Sequence, residues 1–175
     1  MADSSLFTIS LVTPERVLVT GLASEVVLRT AEGDVTFLAG HTPLVGTVEP
    51  GVIRVVRDEG EDQRVAAHGG FVQVEQGVLG DDGEPVASGT RVSLLVGVAE
   101  LAGEIDVSRA QAALEASEAR VAELGGSAGR AGEDDVPDAA LVEAEASVQR
   151  ARVRLEAVDA TSGPAGSSGA SATVA

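Results

Sequence analysis

Apolar and polar residues trade places with a period near two over the first hundred positions, then with spacings of three and four over the next sixty. Glu25-Val26-Val27-Leu28-Arg29 and Val52-Ile53-Arg54-Val55-Val56-Arg57 show the first pattern, which marks half-buried β-strands. Val-rich runs predict strands at 6–12, 16–20, 24–30, 34–38, 52–57, 63–68, 71–76 and 91–96. Turn signals separate them: Thr13-Pro14-Glu15, Glu32-Gly33-Asp34, Glu49-Pro50-Gly51, Asp58-Glu59-Gly60 and Gly69-Gly70. No helical segment of 10–15 residues intervenes, so a parallel α/β sheet is not expected. About ten short antiparallel strands in an all-β sandwich are expected over residues 1–103.

Residues 104–160 read as an antiparallel two-helix hairpin. Val107, Ala110, Leu114, Ser117, Val121 and Leu124 form one seam; Leu141, Ala144, Val148, Ala151, Leu155 and Val158 form the other. Each is the narrow a/d stripe of a two-stranded coiled coil, on an otherwise polar or alanine-rich helix. Asp106 can cap the first helix, and an aspartate beside Pro137 the second. The glycine-rich segment 125–136 is expected to be a mobile loop, and the Ser/Gly/Ala tail 161–175 to be disordered. Because the seams carry many alanines, at about 25 cal/mol per Å² their burial stabilises by only a few kcal/mol. Set against chain entropy, the net is near zero, so the hairpin is expected to be able to leave its own packing for another partner.

Composition narrows the chemistry. The chain has 175 residues and a net charge of −16, from 28 acidic residues against 12 basic ones, all arginine. Such a chain is repelled by phosphate backbones, so no nucleic-acid partner is expected, and an anionic lipid surface is disfavoured too. Lysine and cysteine are absent, which excludes a P-loop lysine, Schiff-base chemistry, disulfides and thiolate metal sites. No apolar run approaches 20 residues, and the N-terminus lacks the basic and apolar regions of a secretory signal. An intracellular location follows as the expectation, with any membrane attachment peripheral.

Little suggests catalysis. His68 ends an alternating strand and reads as structural; His41 lies in the turn Gly40-His41-Thr42-Pro43-Leu44 and reads as bonding local backbone. The carboxylate clusters at 58–62 and 81–84 sit in glycine-containing turns and read as solvated tips. GxGxxG, GxxxxGK and GxSxG motifs are absent. No metal site and no catalytic residue are expected. From the residues alone, a free-standing sandwich with a coiled-coil dimerisation arm competes with a subunit of a larger assembly, and an enzyme is the remote third reading.

Four motifs in order carry a resemblance: Leu11-Val12-Thr13-Pro14-Glu15-Arg16, Phe37-Leu38-Ala39-Gly40-His41-Thr42-Pro43-Leu44, Glu49-Pro50-Gly51-Val52-Ile53-Arg54 and His68-Gly69-Gly70-Phe71-Val72-Gln73-Val74. They end in Ile105-Asp106-Val107-Ser108-Arg109-Ala110 at the head of the first helix. Over residues 6–158 the chain resembles the epsilon subunit of the F-type ATP synthase. The resemblance implies a non-catalytic central-stalk subunit on the cytoplasmic face of the bacterial cell membrane. Its implied partners are the gamma subunit, the c-ring and the alpha/beta catalytic head, with membrane contact only through the complex. It would couple proton-driven c-ring rotation to ATP synthesis, and its hairpin would regulate ATP hydrolysis.

The resemblance also implies sites. Asp34 and His41 match loop positions that face the c-ring. No resident cofactor is implied, but some members bind a regulatory ATP. Glu100, Asp106, Arg109, Arg150 and Arg154 match their nucleotide positions; a further family arginine falls on Ala116. The competing reading is that Asp106 caps the helix while Arg109 pairs with it. The segment 77–89 reads as a lengthened strand connection relative to the family.

Overall fold

The computed structural model describes residues 5–79, 86–128 and 139–162. Nine strands come first: β1 (Phe7–Val12), β2 (Val17–Thr30), β3 (Gly33–Phe37), β4 (Leu44–Val48), β5 (Gly51–Arg57), β6 (Gln63–Ala67), β7 (Gly70–Glu75), β8 (Arg91–Val96) and β9 (Ala99–Leu101). A 3-10 turn at Ala102–Glu104 leads into α1 (Val107–Ala128), and α2 (Ala139–Ser162) follows. Backbone hydrogen bonds join the strands in the order β4-β7-β8-β1-β2-β5-β6-β9, with β3 added on β2.

The sandwich is made by the length of β2. Its first half pairs with β1 and its second half with β3 and β5. The changeover falls at Ala23, which pairs with both Phe7 of β1 and Arg57 of β5; two residues earlier Gly21 sits at φ 127. That backbone angle disfavours any residue with a Cβ. The runs 16–20 and 24–30, read as two strands, are therefore one. One layer holds β4, β7, β8, β1 and the start of β2; the other holds β3, the end of β2, β5, β6 and β9. Between them lies one core that includes Phe7, Ile9, Leu11, Leu28, Phe37, Ile53, Val65, Val72 and Leu94. Val and Leu fill it because alternation turns one side of every strand inward.

The expectation of an all-antiparallel sheet needs correction. β1 pairs in parallel with β8, from Thr8↔Arg91 to Val12↔Leu95. Strands β4 and β9 were not among the runs read from sequence. Leu44–Val48 carries one glycine and lies between Pro43 and Pro50, and Ala99–Leu101 is only three residues long. Gly69 and Gly70 have a steric explanation. Gly69 sits at φ 97, and a Cβ on Gly70 would lie 2.2 Å from the Leu95 carbonyl oxygen. Only glycine lets β7 approach β8 there.

The helices run antiparallel. Ala110 and Ala113, early in α1, share a cleft with Arg154, late in α2, while Ser117 and Arg120, further along α1, share a groove with Ala140 and Glu143 at the start of α2. On α1 the expected seam is observed: Ala110, Leu114, Ser117, Val121 and Leu124 are the sheltered positions, and Val107 is exposed. The thin stripe expected on α2 is a correction. Besides the seam, α2 buries Val153 and Ala157, at 1% and 0% exposure, against Ala66 of β6 and Ile105. The hairpin therefore lies folded against the outer face of the β5–β6 layer. α1 continues through Gly125 and Gly126 to Ala128; 129–138 of the expected loop, 80–85 of the expected lengthened connection and 163–175 of the expected tail lie outside the described residues.

Candidate functional site: the cleft between sandwich and hairpin

Strand alternation decides which side chains meet the hairpin. On β6, Val65 and Ala67 enter the sandwich core, so Ala66 points outward beneath α2. Ala66 is paired with Glu100 on β9, while Ala99 and Leu101 pack against the core, so Glu100 faces the same way. Val52 of β5 joins this outer apolar surface. Small residues let the helix approach closely, and Val153 and Ala157 fill the gap.

At one end of this contact is a cleft of about 230 Å³ lined by Glu100, Ile105, Asp106, Arg109, Ala110, Ala113 and Arg154. Four of the five residues assigned to nucleotide binding by resemblance therefore line one cavity. Arg154 reaches across from α2, its Nε donating to Glu100 Oε1 at 2.7 Å, with both side chains about three-quarters buried. Asp106 caps α1: its Oδ1 accepts the Arg109 backbone N–H at 3.0 Å. Among the described residues no ion pair is seen for the Arg109 guanidinium, so the expected pairing with Asp106 is replaced by the cap alone. Arg150 does not line the cleft. It donates to Glu143 and Ser147 on its own helix, both at 2.6 Å. Ala116 lines a separate groove toward the hairpin's far end, with Arg120 and Glu143.

Other contacts brace the same junction. Arg16, in the β1–β2 connection, grips Glu104 of the 3-10 turn, and this neighbour holds the Glu104 carboxyl below its ordinary range. His68 follows β6, and both of its ring nitrogens are sealed from solvent without a hydrogen-bond partner. Its removal from water, reinforced by Arg154, pushes its pKa down to about 4. The expectation of a structural histidine left out this proximity to α2, which the spacing of distant residues does not reveal.

Of the two residues assigned to ring-facing loops, Asp34 is instead a strand residue, paired with Arg29 across β3 and β2, while His41 lies in a loop beyond the far end of β3. Asp34 pairs with Arg29 at 2.9 Å, and Arg29 holds its carboxyl below the usual range. Asp34 also lines a small cavity with Gln149 and Glu156 of α2. His41 lies in the β3–β4 connection, its ring edge-on to Phe37 at 4.9 Å and its Nδ1 2.8 Å from the Thr42 carbonyl. That loop is held from two sides. Gly40 N–H donates to the hydroxyl of fully buried Thr90 at 2.9 Å, and Gln76 Nε2 donates to the His41 carbonyl at 2.7 Å.

The opposite outer face of the sandwich is bare. Phe71 and Leu95, cross-strand partners on β7 and β8, are 59% and 51% exposed; Val45 on β4 is 74% exposed. Three large apolar side chains on one open sheet face suit a partner surface. No cluster of metal-ligating side chains occurs among the described residues, and no helix there is long and apolar enough to cross a membrane.

Comparison with known proteins agrees with this architecture. Residues 6–79 match the family described as ATP synthase, Delta/Epsilon chain, beta-sandwich domain, and residues 104–159 match its long alpha-helix domain. The ATP synthase epsilon chain of Thermobifida fusca is 44% identical over 67% of this chain and 79% of its own length. That of Symbiobacterium thermophilum is 36% identical over 91% of this chain and 96% of its own. A chain in the Euglena gracilis mitochondrial ATP synthase, solved with OSCP, F1 and c-ring, shares the fold. Its TM-score is 0.63 at 21% identity, covering 92% of this chain and 84% of that one.

Proposed function

The chain belongs to the ATP synthase delta/epsilon family and so is a central-stalk subunit of that complex; from that premise we propose how its two parts divide the work. The sandwich is the fixed part. Its bare Phe71–Leu95–Val45 face seats against the gamma subunit, and Asp34 at the start of β3 and the His41 loop contact the c-ring, so that proton-driven rotation of the ring reaches the alpha/beta catalytic head. The chain does no chemistry itself and meets the membrane only through the complex, on the cytoplasmic face of a bacterial cell membrane. The observation that carries this reading is that one outer sandwich face is covered by the chain's own hairpin while the other presents large apolar side chains to solvent.

The hairpin is the regulatory part. Docked, it is held by a short apolar row and by Arg154–Glu100. Released, it extends toward the catalytic head and hinders ATP hydrolysis. The cleft supports a role for nucleotide in this choice. Arg109 has no acidic partner in the described set, and Arg154 can exchange Glu100 for a phosphate. At about 230 Å³ the cleft is smaller than a typical small-molecule pocket, so it would take the phosphate end rather than a whole nucleotide. Calorimetric titration of the isolated subunit tests this: heat saturating below millimolar ATP, lost in Arg109→Ala, is expected, and no heat at millimolar ATP removes the nucleotide role. Affinity purification of the tagged chain tests the larger reading. Gamma, the catalytic head and the c-ring should come with it; a homodimer joined through the helices and nothing else would favour a free-standing binding module.

A further inference from the structure

His68 is the one buried ionisable group at the sandwich–hairpin contact with no bonding partner among the described residues. Strand alternation places it on the outer face of β6 with Ala66, which Val153 and Ala157 of α2 cover. Its backbone N–H donates to the Val98 carbonyl at 3.1 Å, which fixes it beside β9. The charges that reach the ring from packed elements are Arg154 and Arg150 on α2 and Glu100 on β9; Arg64 shares the strand face. Glu100 is the single carboxylate, and Arg154 already donates to it. A proton on His68 therefore adds a third cation to a contact whose one acid is engaged.

We propose that His68 is a proton-operated latch: neutral, it lets α2 close over β6, and protonated, it drives the hairpin off the sandwich. This deepens the movable-hairpin reading and rests on it. The direction follows from linkage. Exposed by release, the imidazole returns toward its ordinary value of 6.5; docked, it titrates near 4. The docked form is thus favoured fully above pH 6.5, and that preference is lost as pH falls toward 4. At pH 5.5 the released state gains by about tenfold relative to neutral pH. Ordinary surface ion pairs between arginine and carboxylate change little over this window, because neither partner titrates there.

The chain has no cysteine, so Thr20→Cys on the sandwich and Val142→Cys on α2 accept two spin labels for distance measurement in the isolated subunit. Both positions are exposed. The ratio of docked to released hairpin is expected to fall about tenfold between pH 7.5 and 5.5. His68→Gln and His68→Ala should hold it constant within about twofold, and Glu100→Gln should retain the fall. Circular dichroism melts confirm that each variant is folded, and the two His68 variants back each other up. An identical pH response in wild type and both His68 variants overturns the latch. So does a wild-type ratio that ignores pH while Val153→Asp releases the hairpin, which leaves the movable hairpin standing. A hairpin that stays docked at every pH, in Val153→Asp as well, contradicts both.

Discussion

Glu100 and Arg154, 54 residues apart, form a largely buried ion pair that ties the last strand of the sandwich to the last turns of the second helix. The pair lines the cleft and is not part of the apolar cluster of Ala66, Ile105, Val153 and Ala157, so it adds to apolar docking instead of replacing it. Glu100→Gln keeps the shape and removes the charge. Because each side chain is about one-quarter exposed, the loss should be about 1 kcal/mol, roughly fivefold in the docking equilibrium. The labelled-distance measurement reads this directly.

The apolar row should matter more. Val153 is 1% exposed and lies against Ala66. Val153→Asp forces either a buried carboxylate or release of the helix, and release costs less. We expect about 3 kcal/mol of lost docking, with the sandwich melting temperature unchanged. A lowered melting temperature of the sandwich itself would show that hairpin and sandwich fold as one unit.

Phe71→Glu addresses the other face. The side chain is 59% exposed, so stability should stay within about 0.5 kcal/mol of wild type. If this face is the gamma-binding surface as proposed, binding to gamma-containing particles stripped of this subunit should weaken at least about tenfold, because the substitution puts a charge in place of an aromatic anchor. Equal binding by variant and wild type would move the partner surface elsewhere.

Gly70→Ala tests the fold. The new methyl would stand 2.2 Å from the Leu95 carbonyl oxygen. The strands must separate or the variant must lose about 2–3 kcal/mol, measurable by denaturant titration. Gly33→Ala meets no neighbour within 4 Å, although its φ of 125 still strains the backbone; the comparison separates crowding from strain.

Much of this was legible in the residues, for physical reasons that also explain the misses. Strands such as β5 announce themselves because Ile53 and Val55 alternate with Arg54. The parallel partnership of β1 and β8 joins residues more than 80 positions apart, and no local pattern encodes it. The second buried row of α2 was hidden because alanine suits an exposed helix face as well as a buried one, and Val153 stands between two arginines. In the cleft, motif resemblance placed Glu100, Asp106, Arg109 and Arg154 together, and they do line one cavity. It also included Arg150, whose helix position turns it toward Glu143. His68 went unremarked as a responsive group because the contact that buries it comes from residues 80 positions later.

The division between a fixed sandwich and a movable hairpin is tested most directly by reconstitution. ATP synthase particles depleted of this subunit, restored to proton-tight vesicles, would be supplied with either the full chain or residues 1–103. Both should fold, and both should restore proton-driven ATP synthesis to a similar rate, while ATP hydrolysis with the short chain is equal to or higher than with the full one. A folded 1–103 fragment that restores no synthesis would contradict the account.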